Sequence, residues 1–235
     1  MNAIDGLTFH PVAAPQATAL LLHGAGAAVQ SAFFAELLPQ LQAAGVQCWS
    51  ANFVYMQQTL AGQRKVAPKA DKLLPELTEM LAYVRRHSGT ELPIWLIGKS
   101  MGGRVSTLWL AQPQVDLSGI AGALVLGYPL CPPAKAKDPI SAAQVSLLRT
   151  AHLSQLQTPL LLAQGSRDAF GSAAALAPFI VGAASCQLLA MPGADHDFAV
   201  RKQDPFSRAE LFAALCKSIN WQTGACTWIN SGALV

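Results

Sequence analysis

Short runs of consecutive apolar residues recur along the chain, and each run leads into a turn rich in glycine or polar residues. Uninterrupted apolar runs of this length are typical of strands that are buried on both faces, as in a parallel sheet. The runs that predict strands cover residues 17–22, 46–52, 94–97, 120–126, 159–163 and 186–190.

Between these runs, apolar residues recur at intervals of three and four positions, which predicts amphipathic helices. The predicted helices cover residues 31–44, 73–87, 102–111, 144–156, 172–179 and 204–221. Strands that alternate with helices predict one α/β domain over residues 1–235, with a parallel sheet and a core from about 17 to 221. Residues 222–235 show no period and are assigned no element. Segments 53–68 and 128–139 are predicted to be long functional loops or lids.

The composition narrows the class of protein. With 52% hydrophobic and 12% charged residues, the chain is too apolar to be disordered. Its net charge is only +3 and its Lys and Arg residues are scattered, which argues against nucleic-acid binding. Its five cysteines are widely spaced without a C-x-x-C pair, which argues against disulfides and a zinc site. The chain also lacks the pattern of a signal peptide and any apolar run of roughly 18 residues. We therefore expect a soluble cytoplasmic protein with no metal, cofactor or membrane partner; the oligomeric state stays open.

The run at 94–97 is followed by Gly98-Lys99-Ser100-Met101-Gly102-Gly103, which has the form G-x-S-x-G between a predicted strand and a predicted helix. A serine on so tight a strand-to-helix turn is held in strained geometry, and its neighbours must be small for the turn to close. The turn exposes the hydroxyl beside the positive end of the helix. Ser100 is therefore the candidate nucleophile, ahead of the simpler interpretation as a capping serine.

A nucleophilic serine needs a base, and that base needs an acid to orient it. Asp168 lies in the turn after the run at 159–163, and His196 lies in the loop after the run at 186–190, so both are predicted to meet Ser100 above the sheet. His152 is the main competitor for the base, although helix packing is its expected role. Asp195 and Asp197 flank His196 too closely to turn back and bind its ring.

The glycine-rich loop at 23–27 follows the first predicted strand and lacks the G-x-G-x-x-G pattern of dinucleotide binding. Such a loop can bring the N–H of Ala25, together with that of Met101, towards a developing oxyanion. The long segments are expected to line the substrate pocket. Lining candidates in these segments are Tyr55, Met56 and Tyr128. Lys99 and Arg104 are expected to be solvated or to pack on the helix, with contact to an anionic substrate as the less favoured role.

The segments His23-Gly24-Ala25-Gly26, Gly98 to Gly103, Gln164 to Asp168 and Asp195-His196-Asp197-Phe198 resemble the α/β-hydrolase superfamily. The chain is similar to its dienelactone-hydrolase-like group, and most similar to the KANL3/Tex30-like hydrolases, although dienelactone hydrolases proper use a cysteine nucleophile. The resemblance implies a mostly parallel central sheet with helices on both faces. It also implies Ser100 as nucleophile, Asp168 as acid and His196 as base, with Ala25 and Met101 as oxyanion donors.

These features predict a serine hydrolase that cleaves a small carboxylic ester through an acyl-enzyme intermediate. Two alternatives stay open. One is a non-catalytic α/β-hydrolase-like binding protein, and the other is an acyltransferase or thioesterase that uses the same three residues.

Overall fold

The computed structural model describes residues 2–89 and 91–228, and its strands form one seven-stranded sheet. The strands are β1 (Leu7–His10), β2 (Ala17–Leu22), β3 (Val46–Ala51), β4 (Ile94–Lys99), β5 (Ile120–Leu126), β6 (Leu160–Gly165) and β7 (Cys186–Met191). Their order across the sheet is β1-β3-β2-β4-β5-β6-β7. Strand β1 runs antiparallel to β3, and every other neighbouring pair is parallel.

Helices cover both faces of this sheet. They are α1 (Ala32–Ala43), α2 (Val54–Leu60), α3 (Leu74–His87), α4 (Met101–Leu110), α5 (Pro139–Thr150), α6 (Ala173–Leu176) and α7 (Arg208–Ser218). Short 3₁₀ turns cover Ala3–Gly6, Ala70–Leu73, Leu153–Gln155 and Ala177–Phe179. None of the helices described in residues 2–89 and 91–228 combines the length and apolar character needed to cross a bilayer.

Alternate residues of each central strand face opposite hydrophobic layers. In β2, Leu20 and Leu22 pack into the layer under α3 and α4, whereas Leu21 packs into the layer under α1 and α7. All six residues of β2 and of β4 are buried, because helices cover these strands from both sides. This two-sided burial is why the strands appear in the sequence as uninterrupted apolar runs.

The N-terminus of α4 lies unusually close to the central strands. A Cβ atom built on Gly102 would lie 2.4 Å from the carbonyl oxygen of Leu22 in β2, and one on Gly103 would lie 2.4 Å from Cγ1 of Val125 in β5. Only glycine fits at these contacts. The small residues of the turn therefore bring the start of α4 directly onto the carboxyl ends of the central strands.

The predicted α/β class and parallel sheet are confirmed, and each of the six predicted strands is present within two residues of its expected bounds. Two elements were missed. Segment 53–68 contains α2 rather than loop alone, and β1 pairs on the sheet edge with two of its four residues exposed. The expectation for residues 222–228 was open; Cys226 forms an isolated bridge with Ile219, while residues 229–235 lie outside the described part.

Two helices begin several residues away from their expected starts. Helix α5 begins at Pro139 instead of 144, because the Asp138 side chain caps it and proline fits the first turn. Helix α7 begins at Arg208 instead of 204, because Ser207 and Glu210 form a capping box that fixes its start.

Candidate active site

Ser100 occupies the turn between β4 and α4 at the carboxyl edge of the sheet. Its backbone has φ +51° and ψ −112°, a conformation that residues with a Cβ rarely adopt. The turn is held by a hydrogen bond from the Ser100 N–H to the carbonyl of Leu126, 2.9 Å, at the end of β5. This strained turn exposes the Ser100 hydroxyl to a cavity above the sheet.

His196 lies between Ser100 and Asp168, in the loop after β7. Its Nε2 is 2.9 Å from Oγ of Ser100, and its Nδ1 is 2.8 Å from Oδ2 of Asp168. Because a carboxylate only accepts hydrogen bonds, Nδ1 carries the proton in the neutral ring. Nε2 is then free to accept the proton of the Ser100 hydroxyl. The structure thus brings together the three residues that the sequence singled out for these positions.

The carboxylate of Asp168 is fully buried and held in place from two sides. Its Oδ2 accepts a hydrogen bond from Nε2 of Gln164 (2.9 Å), and its Oδ1 accepts one from the N–H of Phe170 (2.7 Å). The Phe170 ring also packs against the imidazole of His196, with centroids 4.3 Å apart. Sequence reasoning missed both supporting residues, although the amide of Gln164 directly after the apolar run at 159–163 is a usable signal.

Gly127 at the end of β5 leaves room for this arrangement. Its φ is +71°, and a Cβ atom there would lie 3.1 Å from the carbonyl oxygen of His196 and 3.5 Å from Oδ2 of Asp168. A side chain at this position would therefore press on the backbone of His196 and strain its own backbone.

The acids beside His196 have other partners, as expected. Oδ1 of Asp195 accepts hydrogen bonds from the N–H groups of Asp197 and Ala199, both 2.9 Å, and so shapes the loop. Asp197 forms an ion pair with Lys99, 3.2 Å between Oδ1 and Nζ. Of the two roles expected for Lys99, solvation is wrong, since its side chain is only 7% exposed; it packs instead on a helix, with its ammonium over the Phe33 ring of α1. Burial lowers the pKa of Lys99, and the charge of Asp197 opposes that shift.

The loop after β2 is fixed by buried hydrogen bonds. The N–H of Phe53 donates to Nε2 of His23 (3.1 Å), which leaves Nδ1 to donate to the carbonyl of Gly24 (2.6 Å). Burial lowers the pKa of His23 to about 4, so the ring is neutral. The Tyr55 hydroxyl donates to the carbonyls of Gly24 (3.2 Å) and Ala25 (3.0 Å). The carbonyls of Gly24 and Ala25 thus accept hydrogen bonds from buried side chains, and both residues border the cavity beside Ser100.

Ala25 and Met101 both line the cavity next to Ser100. Met101 is the first residue of α4, and the N–H groups of a helix's first turn have no acceptor within the helix. These positions are compatible with N–H donors to an oxygen bound beside Ser100, the role that the sequence predicts for both residues.

The cavity has a volume of about 720 Å³, a size suited to a small organic molecule. Aromatic rings form part of its apolar wall. The charged residues around it are both basic and acidic: Lys69, Lys99, Arg104, Arg149, Asp71 and Asp197. The rings belong to Phe33, Phe34 and Phe170.

The three predicted lining residues are not among those around this cavity. Tyr55 turns its hydroxyl to the loop after β2, and Met56 is buried in the hydrophobic layer between α2 and the sheet. Tyr128 is fully buried, and its hydroxyl donates to the carbonyl of Arg149. The prediction placed them by segment alone, whereas helix α2 and the turn after β5 direct these side chains inwards.

His152, the competing base, lies away from Ser100 in the hydrogen-bond network. Its Nε2 is 2.9 Å from Oγ1 of Thr107 on α4. Burial and the nearby charge of Arg104 lower its pKa to about 4.

The geometry permits acyl transfer. A serine hydroxyl that donates to a neutral imidazole can lose its proton as it attacks a carbonyl carbon, while a buried carboxylate stabilises the imidazolium that forms. Across residues 2–89 and 91–228, no three His, Cys, Asp or Glu side chains are grouped so that they could hold a metal ion.

Comparison with known proteins assigns this chain to a family. A family model described as "Alpha/beta hydrolase domain" matches residues 15–223. By sequence, no curated protein matches the chain.

Solved structures share the architecture at low identity. The dienelactone hydrolase from Anabaena variabilis is 16% identical, with a TM-score of 0.65 over 90% of this chain and 88% of its own. Est1E from Butyrivibrio proteoclasticus is 15% identical, with a TM-score of 0.63 over 90% of this chain and 96% of its own. The monoacylglycerol lipase from Paleococcus ferrophilus is 14% identical, with a TM-score of 0.61 over 90% of this chain and 96% of its own. Because the family model covers most of the chain and these folds superpose, the chain belongs to the α/β-hydrolase family.

Proposed function

We propose that this protein is a serine hydrolase that cleaves a small carboxylic ester through an acyl-enzyme intermediate. The observation that carries the proposal is the unbroken hydrogen-bonded series from Ser100 through His196 to Asp168, which opens at Ser100 onto the cavity. The family and its esterase and lipase neighbours support hydrolysis in general. The choice of a carboxylic ester rests on the site.

The mechanism has two steps. In the first, Oγ of Ser100 attacks the carbonyl carbon while Nε2 of His196 takes the hydroxyl proton, and the N–H groups of Ala25 and Met101 stabilise the oxyanion. His196 then gives that proton to the departing alcohol, which leaves the acyl group on Ser100. In the second, His196 takes a proton from water, whose oxygen attacks the acyl carbon. His196 then gives that proton to the departing Oγ of Ser100, which releases the acid and restores the hydroxyl and the neutral imidazole.

We also propose that the protein acts in the cytoplasm on a small-molecule substrate. All five cysteines are free, and burial raises the pKa of Cys186 and of Cys216 to about 12, so these thiols stay protonated. The narrower assignment to the KANL3/Tex30-like hydrolases stays a prediction that rests on the sequence motifs.

The test is covalent labelling with a fluorophosphonate, followed by turnover of short 4-nitrophenyl esters. Wild type should label, and Ser100→Ala should not. An exposed serine, Ser154, provides the matched control, and Ser154→Ala should label like wild type. His196→Ala should lower kcat by about three orders of magnitude or more, because the base is lost from both steps.

Folded wild-type protein that neither labels nor turns over any ester would contradict the proposal and favour a binding protein. Labelling that persists in Ser100→Ala would place the nucleophile elsewhere. A loss in His152→Ala that matches or exceeds the loss in His196→Ala would reassign the base.

A further inference from the structure

Two arginine side chains of the cavity lack an acidic partner. Arg104 lies on α4, one helical turn after Ser100, and Arg149 lies in the last turn of α5; both border the cavity that contains Ser100. Among the residues that the structure describes, no carboxylate lies within 4.0 Å of either guanidinium. Lys99 differs, because Asp197 neutralises it.

The surroundings of Arg104 and Arg149 destabilise positive charge that no nearby anion neutralises. Nε of Arg104 is buried and has no hydrogen-bond partner among the described residues. Burial lowers the pKa of Arg149, and the charge of Arg104 lowers it further. Two of the groups near them carry no charge: the Tyr128 hydroxyl, whose pKa is raised by burial to about 12, and the His152 imidazole. Asp71 lines the same cavity, but its carboxylate lies more than 4.0 Å from either guanidinium. Two partly desolvated like charges are stabilised by an anion that binds between them.

The position of Arg149 is fixed by the protein. Its Nη1 donates to the carbonyl of Pro129 (2.6 Å), and its own carbonyl accepts the hydrogen bond from the Tyr128 hydroxyl. The guanidinium is therefore held at the cavity rather than free to turn to solvent. A guanidinium presents a planar set of N–H donors that matches the two oxygens of a carboxylate.

From these observations we infer that the substrate is an ester that carries a second, anionic group of the carboxylate type, which binds at Arg104 and Arg149. This inference rests on the proposed hydrolase function and specifies its substrate class. Ser100, Arg104 and Arg149 line one cavity of about 720 Å³, so the carboxylate and the ester carbonyl belong to one small molecule in which a short chain of carbons joins them. Half-esters of short dicarboxylic acids have this form.

The test compares esters matched in length, with hydrolysis followed by titration of the released acid. Monoethyl glutarate is paired with ethyl valerate, which puts the charge on the acyl side. 4-Acetoxybutanoate is paired with butyl acetate, which puts the charge on the alcohol side. Wild type should show a higher kcat/KM for the charged member of at least one pair, and the pair that responds identifies which side carries the carboxylate.

Arg104→Gln should lower the ratio of charged to neutral kcat/KM about tenfold or more, mainly through KM, because charge-assisted hydrogen bonds are lost. Arg86→Gln removes one positive charge from the exposed face of α3 and should leave the ratio unchanged. Arg104→Lys keeps the charge without the planar donors and should give an intermediate ratio, which also serves if the glutamine variant fails to fold.

A binding measurement separates this inference from the hydrolase proposal. The Ser100→Ala variant cannot form an acyl-enzyme, so calorimetry with it measures binding alone. The Kd of monoethyl glutarate should be about tenfold higher for the Ser100→Ala, Arg104→Gln double variant than for Ser100→Ala. Wild type that labels and hydrolyses neutral esters, but shows the same charged-to-neutral ratio in Arg104→Gln, would overturn the inference and leave the hydrolase intact. Wild type with no ester turnover, but with this Arg104-dependent binding, would overturn only the hydrolase.

Discussion

At the scale of single residues, Ser100 combines a reactive position with an unfavourable backbone. Its φ of +51° is natural for glycine, and a residue with a Cβ pays about 1–3 kcal/mol to adopt such a conformation. The hydrogen bond to Leu126 and the close packing of α4 impose this conformation. Stability is therefore given up at the residue whose hydroxyl must face the cavity.

This strain predicts different stabilities for two variants that both remove the hydroxyl. Ser100→Gly should be about 1 kcal/mol more stable than Ser100→Ala, because relief of strain exceeds the extra entropy that glycine gives the unfolded chain. Urea unfolding followed by circular dichroism measures both free energies of unfolding. An alanine variant as stable as the glycine variant would mean that the turn is not strained.

The positions of Ser100, Asp168 and His196 were predictable because each follows an apolar run that forms a parallel strand, and the carboxyl ends of parallel strands meet at one edge of the sheet. The residues that line the cavity were not predictable in this way. Whether Tyr128 or Arg104 faces the cavity depends on the rotation of elements packed around it, which no local pattern encodes. Arg104 was expected to be solvated or to pack on the helix, yet it borders the cavity with a buried, unpartnered Nε.

At the scale of elements, helix α4 is placed by its glycines. The gap between α4 and β2 has no space for a methyl group at Gly102, where the nearest atom is a backbone oxygen that cannot swing away. The start of α4, and with it the first N–H groups above Ser100, is therefore set by contact with the sheet.

Gly102→Ala should accordingly lower the free energy of unfolding by about 2 kcal/mol or more, although alanine is the better helix former. Gly26 is the matched control, because a Cβ there meets no atom within 4 Å and its φ is not positive. Gly26→Ala should change the free energy of unfolding by less than about 0.5 kcal/mol. Thermal or urea unfolding distinguishes the two, and equal stabilities would contradict the close packing described for α4.

The elements that sequence patterns missed or placed with wrong bounds share a physical reason. Strand β1 is a short edge strand, and the start of α2 is capped by Phe53 without a side-chain hydrogen bond, so neither carries the usual signal. In α5, Ile140, Leu147 and Leu148 are exposed, so its apolar residues do not mark a buried face. Hydrophobic periodicity predicts elements reliably only where one face meets the core.

At the scale of the whole molecule, two buried histidines make stability depend on pH. The pKa values of His23 and His152 are lowered to about 4, while the unfolded chain keeps a histidine pKa near 6.5. Below pH 6.5 the unfolded state therefore takes up protons that the folded state does not. Stability should fall as the pH drops from about 6.5 to about 4, and each histidine contributes about 2 kcal/mol of the loss by pH 5.

Urea unfolding at pH 7 and pH 5 measures this loss. His152→Gln should reduce the difference in free energy of unfolding between the two pH values by about 2 kcal/mol, because glutamine does not titrate. The exposed His87 provides the control, and His87→Gln should keep the wild-type difference. An unchanged difference in His152→Gln would mean that this ring is protonated equally in the folded and unfolded states.

The contact between Ser100 and His196 joins residues 96 positions apart, and His196 follows β7, the last strand and one edge of the sheet. During synthesis the ribosome must therefore release more than a third of the protein after Ser100 before its partner exists. Until β7 joins the sheet, Ser100 lacks the imidazole that accepts its hydroxyl proton, so the hydrogen-bonded series to Asp168 is completed only by the last strand.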